Sequence, residues 1–499
     1  MQRSAWRDVA LAALVAAIAR VAGAALVYSL GFRAVSDDDF ARVVIAQRFA
    51  ASPALDPTGT SWLPIPFWTM GGAMRVLGST LEIARGISIA AAALSGALVA
   101  AVAVAAGMKR HRVIAAAIVA AGMPWAMQLA VATVPEVPAA CCAAAGAIAL
   151  ASSSPNVRSV GAVALLVSTL ARYDAWPVAM AFAIVTLLDA RRDRRFLGAA
   201  LVSALGPISW SLWQLLRYGD AFRYLRLVRS YRRALGQGPS LLVRFIGYPY
   251  GVVEEMREAL AAGILGASCA LAVERRGDRT NLDWRRPLLL ALLQLVVLIA
   301  GDVRDGAPTH HAERALLGPA TIVIFASGDA IFAWLEGTVS RARRVAFASF
   351  AFVALSSWIA LRLHRSLPWY ASAPRPRELA AGRVLALLPP ETRVLVDTRD
   401  VPGSLDYGYY AVLAAFGRPH LAEVDRDQDP RRPRGLSSFE DVERLRARVR
   451  ASRATVALVW GDERRRVVEA AGGHILTAET GSVVADPRWC VMLLPREAQ

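Results

Sequence analysis

Lysine is nearly absent: Lys109 is the only one among 57 basic residues, and all the others are arginine. Together with the abundant alanine, this is the bias of a GC-rich bacterial genome and carries no chemistry. Cysteine is also scarce. Of the four, Cys141, Cys142 and Cys269 fall inside apolar stretches and Cys490 has no obvious partner. No disulfide framework and no metal-type cysteine spacing follows. Acidic residues number 40, which leaves a net charge of +17, yet no basic stripe on a soluble fold and no nucleic-acid motif accompanies that charge. Nucleic acid is therefore excluded as a partner, and the charge has to be explained by topology. Internal repeats are missing too, which weighs against a transporter built from repeated halves.

What the chain has in plenty is apolar sequence. Hydrophobic residues make up 56% of 499 positions and the mean hydropathy is +0.40, more than a soluble domain of this size buries. Candidate membrane spans lie near residues 8–30, 82–107, 113–132, 136–151, 160–172, 175–190, 196–216, 257–273, 287–302, 314–335 and 345–363. The first follows Arg3 and Arg7 and runs past Ala22-Gly23-Ala24, so it reads as a retained anchor. With the N-terminus inside, the inner loops hold Lys109 to Arg112, Arg158, Arg191 to Arg195, Arg275 to Arg286 and Arg341 to Arg344, as the positive-inside rule requires. About eleven spans put the C-terminus outside, periplasmic if this is a bacterial inner membrane.

The outer segment 217–256 breaks the charge rule. Arg223, Arg226, Arg229, Arg232 and Arg233 stand at near-helical spacing and predict an amphipathic helix on the membrane interface. After a linker from Pro374 to Arg377 the composition changes. Strand-like runs (Arg393 to Asp397, Ala454 to Trp460, Trp489 to Leu494) alternate with helix-like ones (Tyr407 to Phe416, Val442 to Val449), and Asp425 to Arg434 reads as a loop. The expected fold class is mainly α: a polytopic transmembrane bundle over 1–365, with a first outer loop at 31–81, then a small α/β domain over 366–499 on the outer side.

Four polar clusters fall on that side. Ser36-Asp37-Asp38-Asp39-Phe40 reads either as a helix start, with acids favouring the helix dipole, or as a general base or cation site, because adjacent carboxylates raise one another's pKa. The segment from Asp56 to Trp68 is dense in proline and aromatics. Its tryptophans, Trp62 among them, are interfacial anchors or a platform for a lipid or sugar. Glu136 is an isolated acid after Pro135. Finally, His310, His311, Glu313 and Arg314 open the tenth span, where a guanidinium suits a lipid phosphate. Arg172 and Asp174 sit between two short spans, and charges at that depth face a cavity or a partner.

This order of parts resembles the GT-C glycosyltransferases, polytopic enzymes that take a sugar from a polyprenyl-phosphate carrier. Their relatives include protein O-mannosyltransferases and the aminoarabinose and lipopolysaccharide-core transferases. The resemblance covers residues 1–365. It implies that Asp37 or Asp38, followed by the aromatic Phe40, matches the acidic pair of the first outer loop, and that Glu136 matches the second acid. Arg314-Ala315-Leu316-Leu317-Gly318-Pro319 stands where an Arg-Tyr-Leu-Leu-Pro sequence is common, without the tyrosine and with an added glycine. Arg172 is a second phosphate candidate. The resemblance thus implies transfer of a sugar to an acceptor hydroxyl of a lipid, glycan or protein, with inversion and an aspartate base. Trp62, His310 and His311 join the donor site. Asp38 and Glu136 form a candidate site for Mg²⁺ or Mn²⁺, hard cations that suit carboxylates. The competing expectation is a transporter or flippase, with Arg20, Arg172 and Asp174 marking a permeation path.

Overall fold

The computed structural model describes residues 3–236, 240–276, 282–304, 312–366, 375–398, 406–426, 428–433, 435–476 and 489–494. The eleven apolar segments fall on helical sequence, the one at 113–132 on a bent pair of helices. The N-terminal helix α1 (Arg3–Ser29) leads into the segment expected as the first outer loop, which folds as α2 (Asp37–Ala51) and α3 (Ile65–Leu77) before α4 (Leu81–Ala106) returns through the bundle. Helices α5 (Arg110–Gly122) and α6 (Pro124–Val131) form a pair bent by 69°. The cause is Pro124. It pushes Met123 to an extended backbone (ψ 128°), and the proline then starts a new helix.

Two short helices follow, α7 (Glu136–Ala149) and α8 (Pro155–Thr169). A single 3₁₀ turn, Tyr173–Ala175, then opens onto α9 (Trp176–Ala190) and α10 (Leu197–Tyr218). The basic segment forms α11 (Arg223–Ala234), none of whose residues is buried, and α12 (Leu241–Glu254) meets α13 (Arg257–Arg275) at a 78° bend. The bundle closes with α14 (Arg285–Val303), the single turn α15 (Ala312–Ala315), α16 (Leu317–Thr338) and α17 (Arg341–Ser366). Among the described residues seven helices are long and apolar enough to cross a membrane, or nine if each bent pair is one span. The chain is a multi-pass membrane protein.

Small residues make the packing. Apolar side chains gain little from leaving lipid for a helix interface, so close backbone approach has to supply the attraction. A Cβ on Gly161 would lie 2.4 Å from that of Ala149, and one on Gly146 would lie 2.4 Å from Leu165 Cγ. This contact fixes α7 against α8 and so fixes Glu136, the first residue of α7.

The C-terminal unit runs α18 (Pro376–Ala386), β1 (Val394–Val396), α19 (Tyr409–Phe416), β2 (Ala422–Val424), α20 (Val442–Ser452), β3 (Val456–Trp460), α21 (Asp462–Ala470), β4 (His474–Ile475) and β5 (Trp489–Leu493). Its sheet has the order β2-β1-β3-β5-β4, with β1 parallel to β2 and β3, and β5 antiparallel to β3 and β4. The expected linker is shorter than the sequence suggests, because Pro376 is well placed at the first helical position and begins α18. Helices α18 and α19 also share a core with the first outer loop: Phe40, Val43, Val44 and Met74 pack with Leu379, Val412 and Phe416.

At the end of the bundle away from this unit, basic side chains bind acids on other helices. Lys109, His111 and Arg112 meet Glu336 at 2.7, 2.6 and 2.6 Å, and Arg158 and Arg286 share Asp189. Asp329, fully buried, accepts from Arg112 at 2.7 Å and from the Trp284 indole at 3.0 Å. Removing one partner of such a pair strands the other charge. Asp329→Ala should therefore lose about 3–5 kcal/mol of stability, whereas Arg112→Leu with Asp329→Leu should lose much less; thermal unfolding in one detergent compares them.

Candidate active site

Helix geometry divides the three adjacent aspartates among three partners, since successive side chains on a helix diverge by about 100°. Asp39 turns inward. Its Oδ2 accepts from the Ser36 and Val35 N–H groups at 3.1 and 3.3 Å and caps α2, while Thr133 donates to its carbonyl at 2.8 Å. Burial outweighs the nearby Arg314 and pushes the Asp39 carboxyl up to about 6. Asp37 turns to the C-terminal unit and accepts from Arg375 at both oxygens, 2.9 and 2.7 Å. Asp38 alone keeps a half-exposed side chain (50%), 3.5 Å from Arg314 Nη1.

Beneath Asp38 lies Glu136, 2% exposed, at the first turn of α7, where the helix dipole favours an anion. Its Oε1 accepts from Arg172 Nη1 at 2.6 Å and lies 4.0 Å from Arg314 Nη1. Arg172 also donates through Nε to Asp174 at 3.0 and 3.1 Å. The 3₁₀ turn that carries both residues is held by aromatics, Tyr173 stacking on Tyr224 of α11 at 3.8 Å and receiving a hydrogen bond from Trp210 at 3.3 Å. Arg314, 3% exposed, reaches Ser36 Oγ at 3.2 Å. Arg42 joins them from α2 with its guanidinium 4.3 Å over the Trp62 ring.

Several of these groups are incompletely used. Glu136 Oε2, Arg172 Nη2, Arg314 Nε, Arg42 Nε and Asp39 Oδ1 are buried with no hydrogen-bond partner among the described residues. Buried polar atoms left unpaired are costly, and five of them are concentrated here. Three guanidinium groups there suit a phosphate.

Of the residues picked from the sequence, Asp38, Glu136, Arg172 and Arg314 lie in one ion network. Asp37 borders it but is taken by Arg375. Trp62 reaches it only through Arg42. His310 and His311 lie outside the described residues. Arg42 escaped the sequence reading, although it stands four residues after Asp38 on the same helical face. Arg375 offered no signal at all. The proposed Mg²⁺ or Mn²⁺ site at Asp38 and Glu136 fits poorly: a guanidinium already stands between them, and no cluster of three His, Cys, Asp or Glu suited to a metal occurs among the described residues. Arg20 does not join a path through the bundle. It is buried on α1 and donates to Cys141 Sγ at 3.6 Å, beside a small cavity lined by Gly96, Val99 and Phe325.

No family model and no curated protein matches the chain. Solved structures do. The structure of ArnT from Cupriavidus metallidurans in the apo state superposes with a TM-score of 0.55 at 15% identity, covering 100% of this chain and 99% of that one. Its counterpart bound to undecaprenyl phosphate gives 0.52 at 16%, covering 98% of each. The oligosaccharyltransferase AglB from Archaeoglobus fulgidus, in complex with an inhibitory peptide and a dolichol-phosphate, gives 0.50 at 12%, covering 92% of this chain and 69% of that one. This chain has the GT-C fold. In its GT-C bundle the ion network occupies the end where α1, α8 and α14 finish and where α7, α9 and α16 begin, under the C-terminal unit.

The Asp39 carboxyl supplies a test of this electrostatic picture. Its raised pKa means that the folded protein binds a proton more tightly than the unfolded chain. The associated stability is present below about pH 4 and is lost as pH rises through about 6, a change of roughly 3 kcal/mol. Asp39→Asn should flatten that part of the pH–stability profile, measured by thermal unfolding between pH 4 and 7.

Proposed function

We propose that this protein is an integral membrane glycosyltransferase that moves a sugar from a polyprenyl-phosphate carrier to an acceptor hydroxyl on the outer face of the membrane. The observation that carries this reading is the gathering of Asp38, Glu136, Arg172 and Arg314, each from a different element, around buried atoms that lack partners. The fold supports it. So do the undecaprenyl phosphate of ArnT and the dolichol-phosphate of AglB, as ligands held by proteins of this fold.

In this reading Asp38 is the general base, since among the three aspartates it has the exposed carboxylate free to meet an incoming hydroxyl. The acceptor oxygen gives its proton to Asp38 and bonds to the anomeric carbon. The bond from that carbon to the phosphate oxygen breaks on the opposite side, so the configuration inverts and the electron pair leaves on the phosphate. Arg314 and Arg172 receive that charge; guanidinium groups are suited to it because they stay protonated and bind phosphate through two N–H groups. Glu136 positions both arginines. Arg42, lying over Trp62, adds to the positive field. The acceptor is a hydroxyl on a lipid, glycan or protein, and the membrane is a bacterial inner membrane with the C-terminal domain, 366–499, in the periplasm.

Purified protein should consume label from a radiolabelled polyprenyl-phosphate sugar. Asp38→Asn should slow that consumption by roughly 10²- to 10⁴-fold. Full turnover in Asp38→Asn, or wild-type protein inert toward every carrier sugar offered, would reject the assignment. Glu136→Gln removes the acid that lies between Arg172 and Arg314 and should weaken carrier binding and turnover together, as seen in parallel loss of kcat and of affinity for the unloaded polyprenyl phosphate.

A further inference from the structure

The Arg375 side chain belongs to the C-terminal unit, yet both oxygens of Asp37 are bound to it, at 2.9 and 2.7 Å. Two more acids, Glu378 and Asp406, stand 3.8 and 3.7 Å from the same guanidinium. One guanidinium thus stands near three carboxylates from two parts of the molecule, and Asp37 is the one it binds through both oxygens. The arginine also sits in a left-handed backbone conformation (φ 47°), which non-glycine residues seldom adopt. Such a conformation persists only where the surroundings impose it. Here they do: Val412 and Phe416 of α19 share a core with Val43 and Val44 of α2, and the Gln47 amide donates to the Ala414 carbonyl at 2.9 Å. That docking presents Arg375 to the start of α2.

We infer that Arg375 is a positioning residue which occupies Asp37 and thereby leaves Asp38 as the carboxylate open to the acceptor. The inference rests on the glycosyltransferase reading above and adds a regulatory element to it: the docked C-terminal unit sets which of two adjacent acids faces the reaction. With Arg375 in place, the start of α2 carries one half-exposed carboxylate, Asp38, 3.5 Å from Arg314. Removing Arg375 leaves the Asp37 charge unmatched one residue from Asp38, where it competes with Asp38 for the incoming hydroxyl and opposes the approach of the anionic carrier.

Three variants in full-length protein, reconstituted in nanodiscs, test this. Arg375→Gln should lower kcat about tenfold while KM for the carrier changes less than about threefold. Arg375→Lys should recover much of that loss. The double variant Asp37→Asn with Arg375→Gln should be faster than Arg375→Gln alone, because the competing charge has gone. A purely structural ion pair predicts the reverse, with the double variant no better than the single one. Hydrogen exchange provides an arm that needs no turnover: amides of α2 and α18 should exchange faster in Arg375→Gln than in the wild type. Unchanged exchange, unchanged kcat in Arg375→Gln, or a double variant as slow as the single one would overturn the inference. If wild-type protein consumes no carrier sugar, the glycosyltransferase reading fails, and the exchange result alone then decides whether the latch exists.

Discussion

Glu136 carries a charge to a place that water barely reaches, and much of the bundle end beneath the C-terminal unit is arranged to compensate it. An ion removed from water loses several kcal/mol of hydration even after the protein relaxes, and only close, well-oriented partners repay that loss. Arg172 does so at 2.6 Å and Arg314 stands at 4.0 Å. Bringing Arg172 so near requires α8 and α9 to be joined by a single 3₁₀ turn, and α8 has to pack tightly on α7. Both conditions trace to sequence, to Pro177 near the start of α9 and to the facing Gly146 and Gly161. The site is thus a consequence of how closely three short helix ends approach.

Compensation is incomplete by design of the arrangement rather than by lack of charges. Arginines 42, 172 and 314 each retain a buried N–H group without a partner among the described residues, and Glu136 retains an oxygen. In a folded interior such groups are normally satisfied. Their concentration beneath a half-exposed aspartate sets two chemical groups side by side: buried guanidinium donors below, and a carboxylate open to solvent above. The C-terminal unit bears on the second of these, because its core continues into α2 and its Arg375 reaches the first aspartate of that helix.

The bundle was legible in the sequence because a membrane span needs length and apolarity, and both are local properties. The expected spans fall on helical sequence, although among the described residues only seven helices, or nine with each bent pair taken as one, are long and apolar enough to cross a membrane, and the basic loops expected at one face are joined there by ion pairs through Asp189 and Glu336. Irregularities were less legible. Pro124 and the Glu255–Met256 break bend helices that hydropathy alone joins or leaves straight, and α2 and α3 fold a segment that read as loop. At the site, Asp38, Glu136, Arg172 and Arg314 stood out as separate polar residues at span ends, and only the resemblance grouped them, since no spacing in the chain announces that residues so far apart will meet. The three aspartates were ambiguous for a physical reason. Their assignment depends on which way each side chain leaves the helix and on what stands there, and Arg375 and Arg314 arrive from distant segments. Arg42 was within reach of sequence reasoning through its helical spacing from Asp38. Arg375 was not, because an arginine beside prolines looks like any solvated linker.

In the proposed reading these guanidinium groups hold a carrier phosphate at the end of the bundle beneath the C-terminal unit. Cryo-electron microscopy of the full-length protein in nanodiscs with a polyprenyl phosphate tests it most directly. The account predicts phosphate density within hydrogen-bond distance of Arg314 and Arg172, with Asp38 facing the open side. Phosphate bound elsewhere, with Arg172, Arg314 and Glu136 paired only to one another, would contradict it.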